Sequence, residues 1–118
     1  MSYHVVFKAK VEGVDAWVEV GDCDANTTWN VREMIEKSTG LPWLNCENNG
    51  LCSEVMPKIE RGLHELENNR MEYIQYEAEN GWGTVETTKG FFRDILQSWR
   101  SLQRDEPEIA KVATFWIC

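Results

Sequence analysis

GFFRDILQSWRSL, residues 90–102, carries the strongest structural pattern in this 118-residue chain. Its apolar side chains recur at helical spacing and form one wide stripe: Phe91, Phe92, Ile95, Leu96, Trp99 and Leu102. Thr84 precedes the stripe as a helix cap, and the segment RDEPEIAK at 104–111 ends it. The pattern predicts a long amphipathic helix, whose stripe needs a second apolar layer to cover.

Strand patterns lie at both ends of the sequence. Residues 3–11 (YHVVFKAKV) and 14–20 (VDAWVEV) alternate in part between apolar and polar side chains, with a glycine turn between them. They predict a β-hairpin, with Trp17 on the polar face of its second strand, where we expect another group to cover it. VATFWIC at 112–118 is rich in β-forming residues and predicts a further strand beside the hairpin.

Two more helices are predicted between these strands. In NVREMIEKSTG, residues 30–40, Asn30 is a candidate N-cap, Glu33 stands at the N3 position and Gly40 ends the helix. After an irregular connection of about a dozen residues, a second helix should begin near Ser53. Its apolar stripe comprises Val55, Ile59, Leu63 and Leu66.

The order of elements predicts one α+β domain over residues 1–118. We expect a small antiparallel sheet, made of the N-terminal hairpin and the C-terminal strand, packed against about three helices. An exposed edge of that sheet would offer a surface for a homodimer.

Composition excludes several functions. The net charge of −8 argues against direct nucleic-acid binding, which needs clustered Lys and Arg to neutralise phosphates. No apolar run reaches the roughly 18 residues that cross a bilayer, and no secretory signal is recognisable, so we expect no membrane contact and a cytoplasmic location. The four cysteines (Cys23, Cys46, Cys52 and Cys118) lack zinc-ligand spacing and are predicted to be reduced thiols, and no cofactor is expected.

Acidic residues cluster in two segments without Lys or Arg, at 11–31 and 71–88. One interpretation is a solvated surface that keeps the protein soluble. The other is an acidic face that docks on a basic partner. The candidate contact residues are Asp22, Asp24, Glu77 and Glu79.

DCDANTTWNVRE, residues 22–33, has oxygen-bearing side chains at the ligand spacing of an EF-hand calcium loop. These side chains are Asp22, Asp24, Asn26, Thr28, Asn30 and Glu33. Thr27 stands where that loop needs glycine, and the preceding segment predicts a strand rather than a helix. The alternative is a strand-to-helix turn, in which the same side chains bind free backbone amides.

NGWG, residues 80–83, places Trp82 between two glycines just before the long helix. One interpretation is that Trp82 packs back on that helix; the other is an aromatic platform for a ligand, beside a helix N-terminus that attracts anions. Catalysis has little support, because His4 is predicted to point outward, His64 to be half-buried, and no nucleophile motif occurs. We therefore expect a protein that is not an enzyme.

The segments NTTWNVREM (26–34) and NGWGTVETTKGFFRDIL (80–96) together resemble a family of small phage and prophage proteins. Those proteins carry an Asn-x-Thr-x-Asn-Val segment after an N-terminal hairpin and an Asn-Gly-Trp-Gly segment before their last helix, in matching order over residues 3–116. The resemblance implies a phage-like origin and action inside a bacterial host cell. It implies no catalytic residue.

Three functional hypotheses follow. The first is a non-enzymatic acidic protein that docks on a host protein, such as an inhibitor of a nucleic-acid-handling or defence factor. The second is a protein that binds or sequesters a small, nucleotide-like ligand. Its ligand-binding residues would be Asn26, Thr28, Trp29, Asn30, Asn80 and Trp82. The third is a divalent-metal-binding domain that uses residues 22–33.

Overall fold

The computed structural model describes residues 2–10, 12–13, 15–42 and 47–118. Within them the strands are β1 (Ser2–Lys10), β2 (Trp17–Val20), β3 (Asn26–Thr28), β4 (Glu47–Leu51) and β5 (Thr114–Ile117). The α-helices are α1 (Arg32–Thr39), α2 (Cys52–Asn68), α3 (Arg70–Tyr73), α4 (Val85–Asp105) and α5 (Pro107–Ala110). Short 3-10 helices cover Trp29–Val31 and Ile74–Tyr76. The predicted α+β class is confirmed.

Strand β1 organises an antiparallel sheet in the order β2-β1-β5-β4, and β3 also pairs with β1. Phe7 stands opposite both Val20 of β2 and Phe115 of β5. The predicted pairing of the last strand beside the hairpin is therefore confirmed. Beyond β5, His4 N–H donates to Cys118 O at 2.7 Å and Cys118 N–H donates to His4 O at 2.8 Å, which extends the ladder.

The helices pack on one face of this sheet. All six apolar residues predicted for the long helix are buried in α4, and Trp99 lies edge-on to Phe7 with ring centroids 6.3 Å apart. Thr84 caps α4 as predicted, and Gly40 ends α1 in the left-handed conformation at φ 76°. In α2 the predicted stripe faces the core, although Leu63 is only partly buried. Helical periodicity alone therefore located the core-facing sides of α2 and α4.

The other face of the sheet carries Trp17, which is 39% exposed. Its ring lies edge-on to that of Trp116 with centroids 5.5 Å apart, and Lys10 Nζ lies 5.2 Å from its centroid. Lys8 Nζ stands 4.5 Å from the Trp116 ring centroid. Side chains of the sheet itself thus cover Trp17 in part.

Strand β4 departs from the sequence prediction, because ENNGL has few β-forming residues and its pattern predicts an irregular connection. Its pairing partner decides its conformation: Asn48 stands opposite Trp116 and Leu51 opposite Thr114, with an irregularity between them. Helix α2 starts at Cys52, one residue before the predicted position. Strand β2 starts at Trp17, later than predicted, and Val11, Val14 and Cys46 lie outside the described residues.

The glycine at position 62 allows α2 to approach α1 and α4 closely. A Cβ atom there would lie 2.6 Å from Thr39 Cγ2 and 3.0 Å from Phe92 Cε2. At Gly90 of α4, by contrast, no atom of the described residues lies within 4 Å of such a Cβ.

We therefore expect Gly62→Ala to lower the free energy of unfolding by about 1–3 kcal/mol through overpacking. Gly90→Ala is the matched control and should raise it by roughly 0.5–1 kcal/mol, because alanine restricts the unfolded chain. Urea unfolding followed by circular dichroism measures both changes. A stabilising effect at position 62 would contradict the close helix contact.

Candidate functional site

Two segments singled out in the sequence meet in the fold. Asn30 Nδ2 donates a hydrogen bond of 3.0 Å to the backbone oxygen of Trp82, across 52 residues of sequence. The Trp82 N–H donates in turn to Asn80 Oδ1 at 3.0 Å. The backbone of Trp82 is thus held from both sides by asparagine side chains.

Gly83 lets this turn press against the 28–31 segment. It is buried, has φ 110°, and a Cβ atom on it would lie 2.7 Å from Val31 Cγ1 and 3.0 Å from Thr28 Cγ2. Gly81 also has a positive φ, of 78°, but a Cβ atom on it would have no atom of the described residues within 4 Å. The two glycines therefore serve different purposes: Gly81 makes the turn, and Gly83 permits the close approach.

The expectation that Asn30 caps the first helix is wrong. Thr28 instead caps the 3-10 helix that precedes α1: its Oγ1 accepts a hydrogen bond of 3.4 Å from the Asn30 N–H. Helix α1 follows from Arg32, and Val31 at its N-cap makes no side-chain cap bond. The Asn30 side chain instead donates its hydrogen bond to the backbone oxygen of Trp82.

The interpretation of Trp82 as a group packed back on the helix is also wrong, because its side chain is 71% exposed. Trp29 is 42% exposed and lies against Tyr3, with ring centroids 5.7 Å apart. Two tryptophans close to the same asparagine thus expose part of their rings to solvent.

Beside Trp82 lies a cleft of about 530 Å³, called here the Trp82 cleft. Its lining consists of Ser2, Asn26, Thr27, Thr28, Gly81, Trp82, Gly83 and Thr87. Of the predicted ligand-binding residues, Asn26, Thr28 and Trp82 line it, whereas Asn30 and Asn80 hold the Trp82 backbone. Ser2, Thr27 and Thr87 were missed, because only the β1–β3 pairing and the start of α4 bring them here.

A second concavity, of about 520 Å³, lies between the segment before β3 and helix α4, and we call it the acidic groove. Its carboxylates are Asp22, Asp24, Asp94, Asp105 and Glu106, and its guanidinium is that of Arg104. Arg104 Nε donates to Asp105 Oδ1 at 2.9 Å, and this bond lowers the pKa of Asp105. In the fold, three further carboxylates therefore lie in the same groove as the predicted contact residues Asp22 and Asp24.

Sequence reasoning missed the groove residues of α4. Asp94 and Asp105 stand eleven residues apart, about three helical turns, which places them on one helix face. That shared face was visible in the sequence. Its position against Asp22 and Asp24 was not.

Glu77 and Glu79, the other predicted contact residues, are not among the residues that line the acidic groove. Glu77 Oε2 accepts from Val85 N–H at 2.8 Å, so this carboxylate binds the first amide of α4. Glu79 is exposed in the loop before the turn. Of the four predicted contact residues, Asp22 and Asp24 thus line the acidic groove, whereas Glu77 and Glu79 lie outside it. The Glu77 carboxylate stabilises the start of α4.

The calcium-like spacing of Asp22, Asp24, Asn26, Thr28, Asn30 and Glu33 does not fold into an EF-hand loop. Asn26–Thr28 is an extended strand paired with β1, and consecutive side chains of a strand point to opposite faces. Thr28 Oγ1 accepts from the Asn30 N–H at 3.4 Å, as in the capping alternative, whereas Asn26 Nδ2 donates to the carbonyl oxygen of Asp24 at 3.2 Å. Across the described residues, no group of three Asp, Glu, His or Cys is placed to hold a metal ion.

Of the free thiols in the described residues, Cys52 is buried and Cys23 is partly buried. Burial raises the pKa of Cys52 to about 12 and also raises that of Cys23, so both stay protonated at neutral pH. Cys118 is disulfide-bonded, so the expectation of a reduced thiol is wrong at this position.

The histidines are both exposed, as expected for His4 but not for His64, whose ring lies against Asn68. His4 Nε2 lies 3.3 Å from Ser2 Oγ. No carboxylate of the described residues contacts the His4 ring, so the pair lacks the third group that orients a catalytic imidazole.

No protein-family model, curated protein or solved structure matches this chain. Within residues 2–10, 12–13, 15–42 and 47–118, no helix is both long and apolar enough to cross a membrane.

The geometry of the turn predicts unequal effects of alanine at its two glycines. Gly83→Ala should lower the free energy of unfolding by about 2–4 kcal/mol, because a positive φ and a clash with Val31 combine. Gly81→Ala should cost about 1 kcal/mol, from the positive φ alone. Equal losses in chemical denaturation would show that the turn does not press on the 28–31 segment.

Proposed function

We propose that this protein is a non-enzymatic binding protein that docks on a basic partner protein through its acidic groove. One observation carries the proposal: the groove gathers five carboxylates against one guanidinium, and that guanidinium is already bound to Asp105. The excess negative charge is therefore concentrated in one concave place, where it attracts lysine- and arginine-rich surfaces.

The chemistry of the groove also describes the partner. Gln97, Ser98 and Ser101 line it between the carboxylates and supply neutral hydrogen-bonding groups. Phosphate would be repelled, so the proposed partner is a protein rather than a nucleic acid. A basic surface that normally holds nucleic acid is the kind of surface that such a groove would cover, which supports the hypothesis of an inhibitor.

The resemblance to small phage and prophage proteins supplies the proposed setting, the interior of a bacterial host cell. The disulfide at Cys118 bears on this setting, because disulfides rarely persist in a reducing cytosol. Cytoplasmic action is therefore proposed from the resemblance alone, and identifying the partner would test it.

The groove is tested with matched double variants. Asp22→Asn with Asp24→Asn should slow association with the basic partner about threefold to tenfold and weaken its salt dependence. Glu54→Gln with Glu60→Gln makes the same charge change at exposed positions outside the groove and outside both acidic segments, and should leave the rate near that of the unaltered protein.

The measurement has two steps: capture from bacterial host lysate at low salt, then surface plasmon resonance with the purified partner over a range of salt concentrations. Equal slowing by both double variants would leave only a general charge effect, and a salt-insensitive complex would reject the proposal. A further pair, Glu77→Gln with Glu79→Gln, asks whether the second acidic segment takes part.

A second candidate function, the binding of a small ligand, is supported by the Trp82 cleft. Its volume lies within the usual range for small-molecule sites, and an exposed indole stands at its edge on a backbone held by Asn30 and Asn80. Because the backbone that carries the indole is held before binding, the turn loses little conformational entropy when a ligand covers the ring.

Native mass spectrometry of the protein purified from a bacterial host tests this second function. We expect an adduct of a few hundred daltons that is lost in Trp82→Ala and kept in Trp17→Ala, since Trp17 pairs with Lys10 at the end of β1 remote from Ser2 and does not line the cleft. A clean mass for the unaltered protein would count against the cleft and leave the acidic groove as the remaining candidate.

A further inference from the structure

The lining of the Trp82 cleft is neutral and rich in hydroxyl groups. Ser2, Thr27 and Thr28 contribute hydroxyls and Asn26 an amide, whereas the Thr87 hydroxyl is bonded to the backbone of Thr84. None of the described residues that line the cleft is ionisable. A lining of this kind offers several short donors and acceptors but no counter-charge. It suits an uncharged ligand that carries many hydroxyl groups.

Thr27 supplies an independent sign of a missing ligand. It lines the cleft, its residue is only 7% exposed, and its hydroxyl forms no hydrogen bond with any of the described residues. A buried polar group without a partner is unfavourable, and native structures rarely keep one without a reason.

An anionic ligand such as a nucleotide is disfavoured, because the start of α4 is already occupied. Val85 N–H donates to the carboxylate of Glu77 at 2.8 Å, Thr87 N–H donates to Thr84 Oγ1 at 3.1 Å, and Thr88 N–H donates to Thr84 O at 3.1 Å. Of the first three amides of α4, those of Val85 and Thr87 are thus taken, the former by a negative group. An incoming phosphate would meet the Glu77 carboxylate at this terminus.

The exposed ring of Trp82 completes the chemistry of the cleft. Its flat face packs against any ligand surface made of C–H groups, and one face of a pyranose ring is such a surface. Its backbone is fixed by hydrogen bonds on both sides, so that the indole needs no rearrangement of the turn before it makes this contact.

We infer that the Trp82 cleft is a binding site for a neutral saccharide, with one sugar ring stacked on Trp82 and a sugar hydroxyl bonded to Thr27. This inference rests on the second candidate function and names its ligand class. It replaces the nucleotide-like ligand expected from the sequence, because the cleft offers a stacking group and hydroxyls but no partner for phosphate.

The test is saturation-transfer NMR with the full chain and a defined set of probes at millimolar concentration. The probes are glucose, galactose, mannose, N-acetylglucosamine, adenosine and ATP. We expect saturation transfer to the ring protons of at least one sugar, with binding about tenfold weaker in Trp82→Ala and unchanged in the control Trp17→Ala.

Thr27→Val removes only the unpartnered hydroxyl and keeps the shape of the side chain. It should weaken sugar binding severalfold while the urea unfolding midpoint stays equal or rises, which separates a lost ligand contact from a damaged fold.

Each other result overturns the inference. Transfer to adenosine or ATP alone rejects the saccharide but keeps the small-ligand function. Sugar binding that survives Trp82→Ala places the sugar elsewhere, and no transfer to any probe rejects both the saccharide and the small-ligand function at this cleft.

Discussion

The backbone pairing of β1 with its neighbours is the constraint on which the rest of the structure depends. This one strand hydrogen-bonds with β2, β3 and β5, and so joins segments from both ends of the sequence. Phe7 at its centre contacts Phe115 within the sheet and Trp99 in α4, with ring centroids 6.4 and 6.3 Å away. The same strand therefore sets the sheet register and supplies the apolar surface on which the long helix lies.

Both candidate sites follow from where β1 holds the 21–28 segment. Because β3 pairs with the first residues of β1, the chain before it runs along α4, and Asp22 and Asp24 come to face Asp94. The chain after it turns into the 3-10 helix, whose Asn30 reaches Trp82. An acidic groove and a neutral cleft thus lie at successive positions of one segment. They suit different ligands, a basic protein surface and an uncharged small molecule, so the two functions need not exclude each other.

The N-terminus of α4 is a local feature whose ability to bind a ligand depends on the residues packed around it. A free helix N-terminus favours anions, and from the sequence this one looked open. In the fold, Glu77 and Thr84 bind its first amides, so the turn before it presents an aromatic ring rather than an anion site. The buried hydroxyl of Thr27 has no hydrogen-bond partner among the described residues, and the inferred ligand contact rests on this group.

The sequence by itself determined the features that depend on neighbouring residues. Helical spacing located the buried stripe of α4, and Thr84 and Gly40 marked helix ends. Alternation located β1 and a run of β-forming residues located β5, because periodicity, capping and composition are local properties. Only the tertiary structure decided the rest. Strand β4 exists because β5 pairs with it, Asn30 serves Trp82 rather than its own helix, and the groove needs acids from two distant segments. Each depends on a contact between residues far apart in the chain, which local patterns do not encode.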